Sequence, residues 1–294
     1  MKKNNNVPPI VMTDASCGWD SEYAYRRQVP MMNFSCIFAD YRYDDCVDKE
    51  QTALFYQRII KGEECTTQQA TSKDYHRFFN ALLQQKRPIV YIAGSSSLSA
   101  SYASACRAKR RLCEQYPDAD ITIIDSRAVC CGLGLLVEKA VQLRDEGKSA
   151  KEIGHWLQVN KLKVHIWLAL DNFETLLKGG RIAPDTAFIC NYFHRRALLC
   201  LDKRGNLIPV AKCRKEIKLF KKIARRVKKE SEKPESQVAI ISHAFCQERA
   251  EQLQQLLLDK VHFHDVDIRL MSTVLAAHTG PSGLLLCFWG KKRS

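Results

Sequence analysis

A chain of 294 residues with 46% hydrophobic and 27% charged content can bury a sizeable core, so wholesale disorder is excluded and the length suggests two domains. Apolar runs such as Ile10 to Met12 and Leu284 to Trp289 fall far short of the roughly 18 residues a membrane span requires, and Asp14 and Asp20 interrupt the start where a signal peptide would be apolar, so a cytoplasmic location is expected. The excess of 46 basic over 32 acidic residues, a formal charge of +14, favours acidic partners.

In chain order, β-rich runs occur at Pro9 to Met12, Asn33 to Phe38, Pro88 to Ala93, Asp120 to Ile124 and Val164 to Leu170. Between the last three lie helical patterns: Ser99 to Gln115 places Tyr102, Ala105, Cys106, Leu112 and Cys113 on one face, and Leu133 to Leu143 does the same before Glu146-Gly147 stops it. Strands separated by helices of this length imply parallel βαβ units, so the first half is expected to be an α/β, doubly wound, mostly parallel sheet. The helix Ala150 to Gln158 ends it, and a boundary near Leu162 gives domains 1–162 and 163–294.

The second half reads as a mixed α/β domain. A helix runs to Lys178, Gly179-Gly180 turn the chain, and Arg196 to Asp202 with Asn206 to Lys212 form a hairpin across Lys203-Arg204-Gly205. Strand Gln237 to Ser242, helix Cys246 to Leu258, strand Val266 to Leu270 and strand Leu284 to Phe288 follow. Between Arg214 and Glu230 nine Lys or Arg and two Glu supply +7, half the net charge, while Ile217, Phe220, Ile223 and Val227 recur at helical spacing. This basic amphipathic helix is either an ordinary surface helix with its apolar side on the core or a docking surface. The thirteen cysteines lie singly apart from Cys130-Cys131, with no Cys-x-x-Cys, and read as reduced thiols packed as small hydrophobes; no metal and no cofactor is expected.

Four polar segments sit at the ends of predicted strands, where open α/β sheets gather ligands. They are Thr13-Asp14-Ala15-Ser16; Thr66-Thr67-Gln68; Gly94 to Tyr102, which offers hydroxyls and amides at a helix start, either as simple capping or as an anion site; and Gly179-Gly180-Arg181 with His278-Thr279-Gly280-Pro281, which could bring an Arg and a His to one ligand.

Taken in order, these segments resemble the DegV family, whose characterised members are the fatty-acid-binding subunits of the bacterial fatty acid kinase system. The likeness covers nearly the whole chain. The family's Thr-Asp-Ser appears as Thr13-Asp14-Ala15, its Thr-Ser-Gln-Pro-Ser as Thr66 to Ala70, and its Ser-Ser-x-Leu-Ser-Gly-Thr-Tyr as Ser95 to Tyr102. Asp125-Ser126, the Leu-x-Lys-Gly-Gly-Arg-Ile element at Leu176 to Ile182, the hairpin glycine Gly205, Lys212 with Arg214, and His-Thr-Gly-Pro at His278 to Pro281 complete it.

The resemblance implies a DegV-like two-domain fold and a long-chain fatty acid between the domains, its carboxylate held by Thr66, Ser96, His278 and Arg181. Thr13, Asp14, Thr67, Ser95, Ser99, Gly179, Gly180, Thr279 and Gly280 are weaker candidates. Each buried methylene gains about 0.8 kcal/mol, so roughly fifteen contribute on the order of 12 kcal/mol before ordering costs. In the family a separate kinase phosphorylates the presented carboxylate, so the chain itself is expected not to be an enzyme. It has no Gly-x-x-x-x-Gly-Lys-[Ser/Thr] loop and no Gly-x-Ser-x-Gly elbow. A kinase subunit or an anionic membrane face are the partners the 214–230 helix would suit, and no specific nucleic acid is expected. Departures fall at Gln69 and Ala70 for Pro-Ser, at Ala100 for Gly, at Arg196 and Ala197 for Lys-Pro, and at Ser282 for Gly. Two alternatives stand beside this reading: a nucleic-acid or anionic-membrane binder driven by charge, and a hydrolase pairing Ser96 or Ser99 with His278.

Overall fold

The computed structural model describes residues 7–45, 49–171, 174–182 and 196–293. With strands numbered along the chain, the first sheet is parallel and contains β1 (Ile10–Asp14), β2 (Met31–Met32), β6 (Ile89–Ala93) and β7 (Ile121–Asp125) in the order β2-β1-β6-β7. β1 and β6 are buried at every position, as near-continuous apolar runs require of strands covered on both faces. Helices α4 (Ser101–Gln115), α5 (Cys131–Asp145) and α6 (Ala150–Asn160) follow β6 and β7 as expected.

Asn33 to Phe38 does not join that sheet. Its centre, β3 (Ser35–Ile37), pairs antiparallel with β4 (Arg42–Asp44) and β5 (Thr66–Gln68) in a separate three-stranded sheet, because apolar periodicity marks a strand without naming its neighbour. The helices α1 (Ser21–Arg26), α2 (Lys49–Ile60) and α3 (Ser72–Leu83) complete the first half.

The second sheet is mixed: β8 (Val164–Leu170), β9 (Arg196–Leu201), β10 (Leu207–Cys213), β11 (Val238–His243), β12 (Asp265–Leu270) and β13 (Leu284–Trp289) lie in the order β10-β9-β8-β13-β11-β12. The pairs are antiparallel except β11 with β12. Strand alternation divides β8 between two cores. Ile166, Leu168 and Leu170 join the core of the first half, while Trp167 and Ala169 face the helices α8 (Glu216–Glu230) and α9 (Gln247–Val261). Helix α5 is apolar nearly all round, and packs against β1 and β6 on one side and β8 and β13 on the other. Within that layer the free thiol of Cys131 lies 2.9 Å from the thiol of Cys287.

In α8 the buried stripe is Leu219, Phe220, Ile223, Ala224 and Val227; Ile217, expected within it, is 53% exposed, because it lies on the flank of the stripe in the first turn. Two short helices, α7 (Glu174–Lys178) and α10 (Thr273–Thr279), carry the Gly-Gly-Arg and His-Thr-Gly elements. Among the described residues no helix is long and apolar enough to cross a membrane.

Candidate functional site

A cavity of about 520 Å³ is walled by residues from both halves of the chain. Phe34, Val129, Ile166, Leu168, Met271 and Leu285 give it an apolar interior. Thr67, the serine loop Ser95 to Ser99, Arg181, His278 and Thr279 also line it.

The polar groups are held by separate elements. Thr67 is the middle residue of β5, so the strand alternation that exposes Thr66 and Gln68 turns Thr67 inward, where its Oγ1 is 3.0 Å from His278 Nε2. His278 sits near the end of α10, whose start is tied down by Asp45 accepting from the Thr273 amide at 3.0 Å and its hydroxyl at 2.7 Å. A Cβ on Gly179 would lie 2.8 Å from His278 Nδ1, so only glycine lets the α7 turn approach the ring this closely. Beyond Gly180, Arg181 donates from Nε to the Leu98 carbonyl at 3.2 Å and from Nη1 to the Gly179 carbonyl.

Electrostatically, burial and then the Arg181 charge lower the His278 pKa to about 4, so the imidazole is neutral near pH 7. Burial also lowers the Arg181 pKa, yet a guanidinium stays charged at neutral pH. Arg181 forms no ion pair with a carboxylate among the described residues. The site therefore presents a half-buried cation, a neutral imidazole and a hydroxyl to an apolar cavity, an arrangement suited to a ligand with one acidic end.

Several expected site residues do other work. Thr66 is exposed and its Oγ1 reaches only the Ile37 carbonyl, at 3.5 Å; a shift of one strand position gives its expected place to Thr67. Ser96 lines the cavity, but its hydroxyl donates to Asp125 Oδ2 at 2.7 Å, which commits its only proton elsewhere. Ser95 donates to the Gly205 carbonyl at 3.0 Å and Ser99 to Gln69 Oε1 at 2.9 Å. Thr13 is buried and donates to the Ile92 carbonyl at 2.9 Å. Asp14, its pKa raised by burial, accepts from Ser16, from Tyr91 at 2.6 Å and from the Gly94 amide at 3.2 Å. Both residues support the loop ends without lining the cavity. Gly180 and Thr279 line it, whereas Gly179 and Gly280 stand behind the lining.

Nor are the serine-loop amides open to an anion: Ser96 N donates to Asp125, Leu98 N and Ser99 N to the Ser95 carbonyl, and Ala100 N to Gln69 Oε1. Ala100, with φ −79°, carries its methyl without strain. Neither Ser96 nor Ser99 pairs with His278: His278 meets Thr67, while Ser96 and Ser99 bond to Asp125 and Gln69, so the hydrolase alternative built on these residues loses its geometry. Gln69 and the apolar lining residues were not among the expected site residues; in a sequence Phe34 and Met271 look like any other core positions.

The family model that matches the chain, described as "Uncharacterised protein, DegV family", spans residues 10–289. A DegV domain-containing protein of Clostridium perfringens is 32% identical over 282 residues, 96% of this chain and 97% of that protein. Among solved structures, a DegV family protein from Thermus thermophilus, described for its fatty acid binding, matches with a TM-score of 0.85 at 21% identity, covering 96% of this chain and 100% of that one. The Streptococcus pneumoniae fatty acid kinase (Fak) B3 protein, solved loaded with linoleic acid, matches with 0.82 at 19% identity, covering 97% and 100%. At these identities the structural likeness establishes the fold.

Proposed function

The chain belongs to the DegV family, and from that premise we propose that it binds a long-chain fatty acid between an N-terminal domain, 1–162, and a C-terminal domain, 163–294, and presents the carboxylate to a separate fatty acid kinase. The observation that carries this reading is the apolar cavity of about 520 Å³ with the half-buried cation of Arg181 at its polar end, where it meets no carboxylate among the described residues. Such a volume falls within the roughly 300–1,000 Å³ typical of small-molecule sites. The tail supplies affinity by burial, and Arg181, the Thr67 hydroxyl and His278 orient the head. The kinase role is supported by the named function of the Streptococcus pneumoniae relative, and the basic face of α8 suits an acidic surface on such a partner.

Native mass spectrometry of the purified protein, followed by extraction of any bound small molecule, tests the proposal. The expected result is one fatty acid per chain, with Arg181→Ala weakening binding by about 10–100-fold, as loss of a charge-assisted contact predicts. A ligand-free protein that takes up no added fatty acid would refute it.

A further inference from the structure

Cys65 differs from the cysteines packed in the core. It immediately precedes β5 and is half-buried, whereas Cys36, the middle residue of β3, is fully buried. The antiparallel register sets Cys36 directly opposite Thr67 and Ile37 opposite Thr66. Cys65, two residues before Thr67, therefore shares the face of Thr67 and stands diagonal to Cys36. The two sulfurs meet: the Cys36 thiol donates to the Cys65 sulfur, and the Cys65 thiol donates to the Thr66 carbonyl at 3.4 Å. The bond from Cys36, with the Ile37 amide and the Arg58 charge, lowers the Cys65 pKa in spite of its partial burial, while burial raises the half-buried thiols of Cys246 and, to about 11, Cys200. Cys36 also stands where the polar end of the ligand cavity is assembled. It lies opposite Thr67 in β5 and contacts the side chain of Thr273 in the first turn of α10, the helix that brings His278 to Thr67.

We propose that Cys65 is a peroxide-modified site with Cys36 as its resolving thiol, and that the disulfide between them moves Thr67 away from His278 and weakens ligand binding. An accessible thiol poised beside a buried partner is the arrangement that such chemistry requires. In the first step the Cys65 thiolate attacks one oxygen of a hydroperoxide; the S–O bond forms, the O–O bond breaks, and the departing oxygen leaves as water or an alcohol after taking up the thiol proton. In the second the Cys36 sulfur attacks the sulfenic sulfur of Cys65, the S–S bond replaces the S–OH bond, and hydroxide leaves as water with the Cys36 proton. Two thiols are oxidised and one peroxide is reduced. A disulfide needs Cβ atoms roughly 3.5–4.5 Å apart, closer than diagonal neighbours on paired strands ordinarily stand. Closing the bridge therefore draws the start of β5 toward β3. Thr67, one strand repeat further on, follows that movement, whereas His278 is held from the other side by α10. The consequence for affinity rests on the fatty-acid reading above; the modification itself does not.

The test treats the full chain with stoichiometric hydrogen peroxide and follows three readouts: peptide mapping for the Cys36–Cys65 link, hydrogen exchange across residues 65–69, and palmitic acid affinity by calorimetry. Oxidised wild type is expected to show the link, faster exchange in that segment, and an affinity about tenfold lower, as loss of one oriented hydrogen bond to the head group predicts. Dithiothreitol should reverse all three. Cys65→Ser should match reduced wild type in affinity within about threefold and ignore peroxide on every readout. Cys36→Ser should stop at a sulfenic acid on Cys65 that dimedone traps; if that buried substitution does not fold, Cys65→Ser still decides. An oxidised wild type without the link would overturn the proposal, as would a link that leaves exchange at 65–69 unchanged, or a C65S variant that responds to peroxide as wild type does. A reduced wild type that binds no palmitic acid would refute the fatty-acid reading, and the peptide map and hydrogen exchange would then decide the thiol pair on their own.

Discussion

At His278 the surroundings push proton affinity one way: burial disfavours the imidazolium, and the Arg181 charge adds repulsion. With the ring neutral, Nε2–H can donate to the Thr67 oxygen, which leaves the Thr67 hydroxyl proton for another acceptor. The same shift makes a stability prediction. An unfolded histidine titrates near 6.5 and folded His278 at about 4, so in that window the unfolded chain holds more protons at this site than the folded one. The contribution of His278 is fully present above pH 6.5 and is lost as pH falls toward 4, by on the order of 3 kcal/mol. Urea denaturation of wild type and His278→Gln at stepped pH isolates it, because other titrating groups cancel in the difference; a difference independent of pH would contradict the burial of the ring. Motifs located the His, the Arg and the paired threonines in the sequence. They did not distinguish Thr66 from Thr67, since that depends on which face of a three-residue strand meets α10, and they could not show that Asp125 already takes the Ser96 proton.

Helix α8 shows what periodicity does specify. Its existence, its basic outer face and its apolar stripe were all legible, apart from the exchange of Ile217 for Leu219. Which sheet face it covers was not, because that depends on β8, β9 and β13 being adjacent. The two faces carry separable predictions. Phe220→Ala removes a ring that is 1% exposed and should cost about 3–5 kcal/mol in denaturant titrations. Lys221→Glu with Arg225→Glu changes exposed positions only, so stability should move by no more than about 0.5 kcal/mol. Under the docking proposal the double variant should slow association with the kinase severalfold at low salt and leave fatty-acid affinity unchanged; an unaltered association rate would remove the helix from the interface.

The cavity is a property of the whole molecule. Its walls join residues as distant as Thr67 and His278, and the serine loop of the first half is held by the β9–β10 hairpin of the second, through Ser95 to the Gly205 carbonyl at 3.0 Å and Ser97 to the Arg204 carbonyl at 2.8 Å. Alternating strands and helices made the α/β class readable in advance, but nothing local in the sequence says that a hairpin turn will seat on a loop 110 residues away. Gly205 makes that seat tight: it has φ +85°, and a Cβ there would overlap Ser95 Oγ and come within 3.2 Å of Arg127 Cα. Gly205→Ala should therefore cost about 2–4 kcal/mol, part from the left-handed backbone and part from the clash, and hydrogen exchange should rise across residues 94–99. Ser95→Ala removes the clashing oxygen, so in that background Gly205→Ala should cost at least about 1 kcal/mol less, while the backbone part persists. Equal costs in the two backgrounds would mean that the loop and the hairpin are not coupled through this contact, and that the serine loop keeps its position by the Asp125 and Gln69 hydrogen bonds alone.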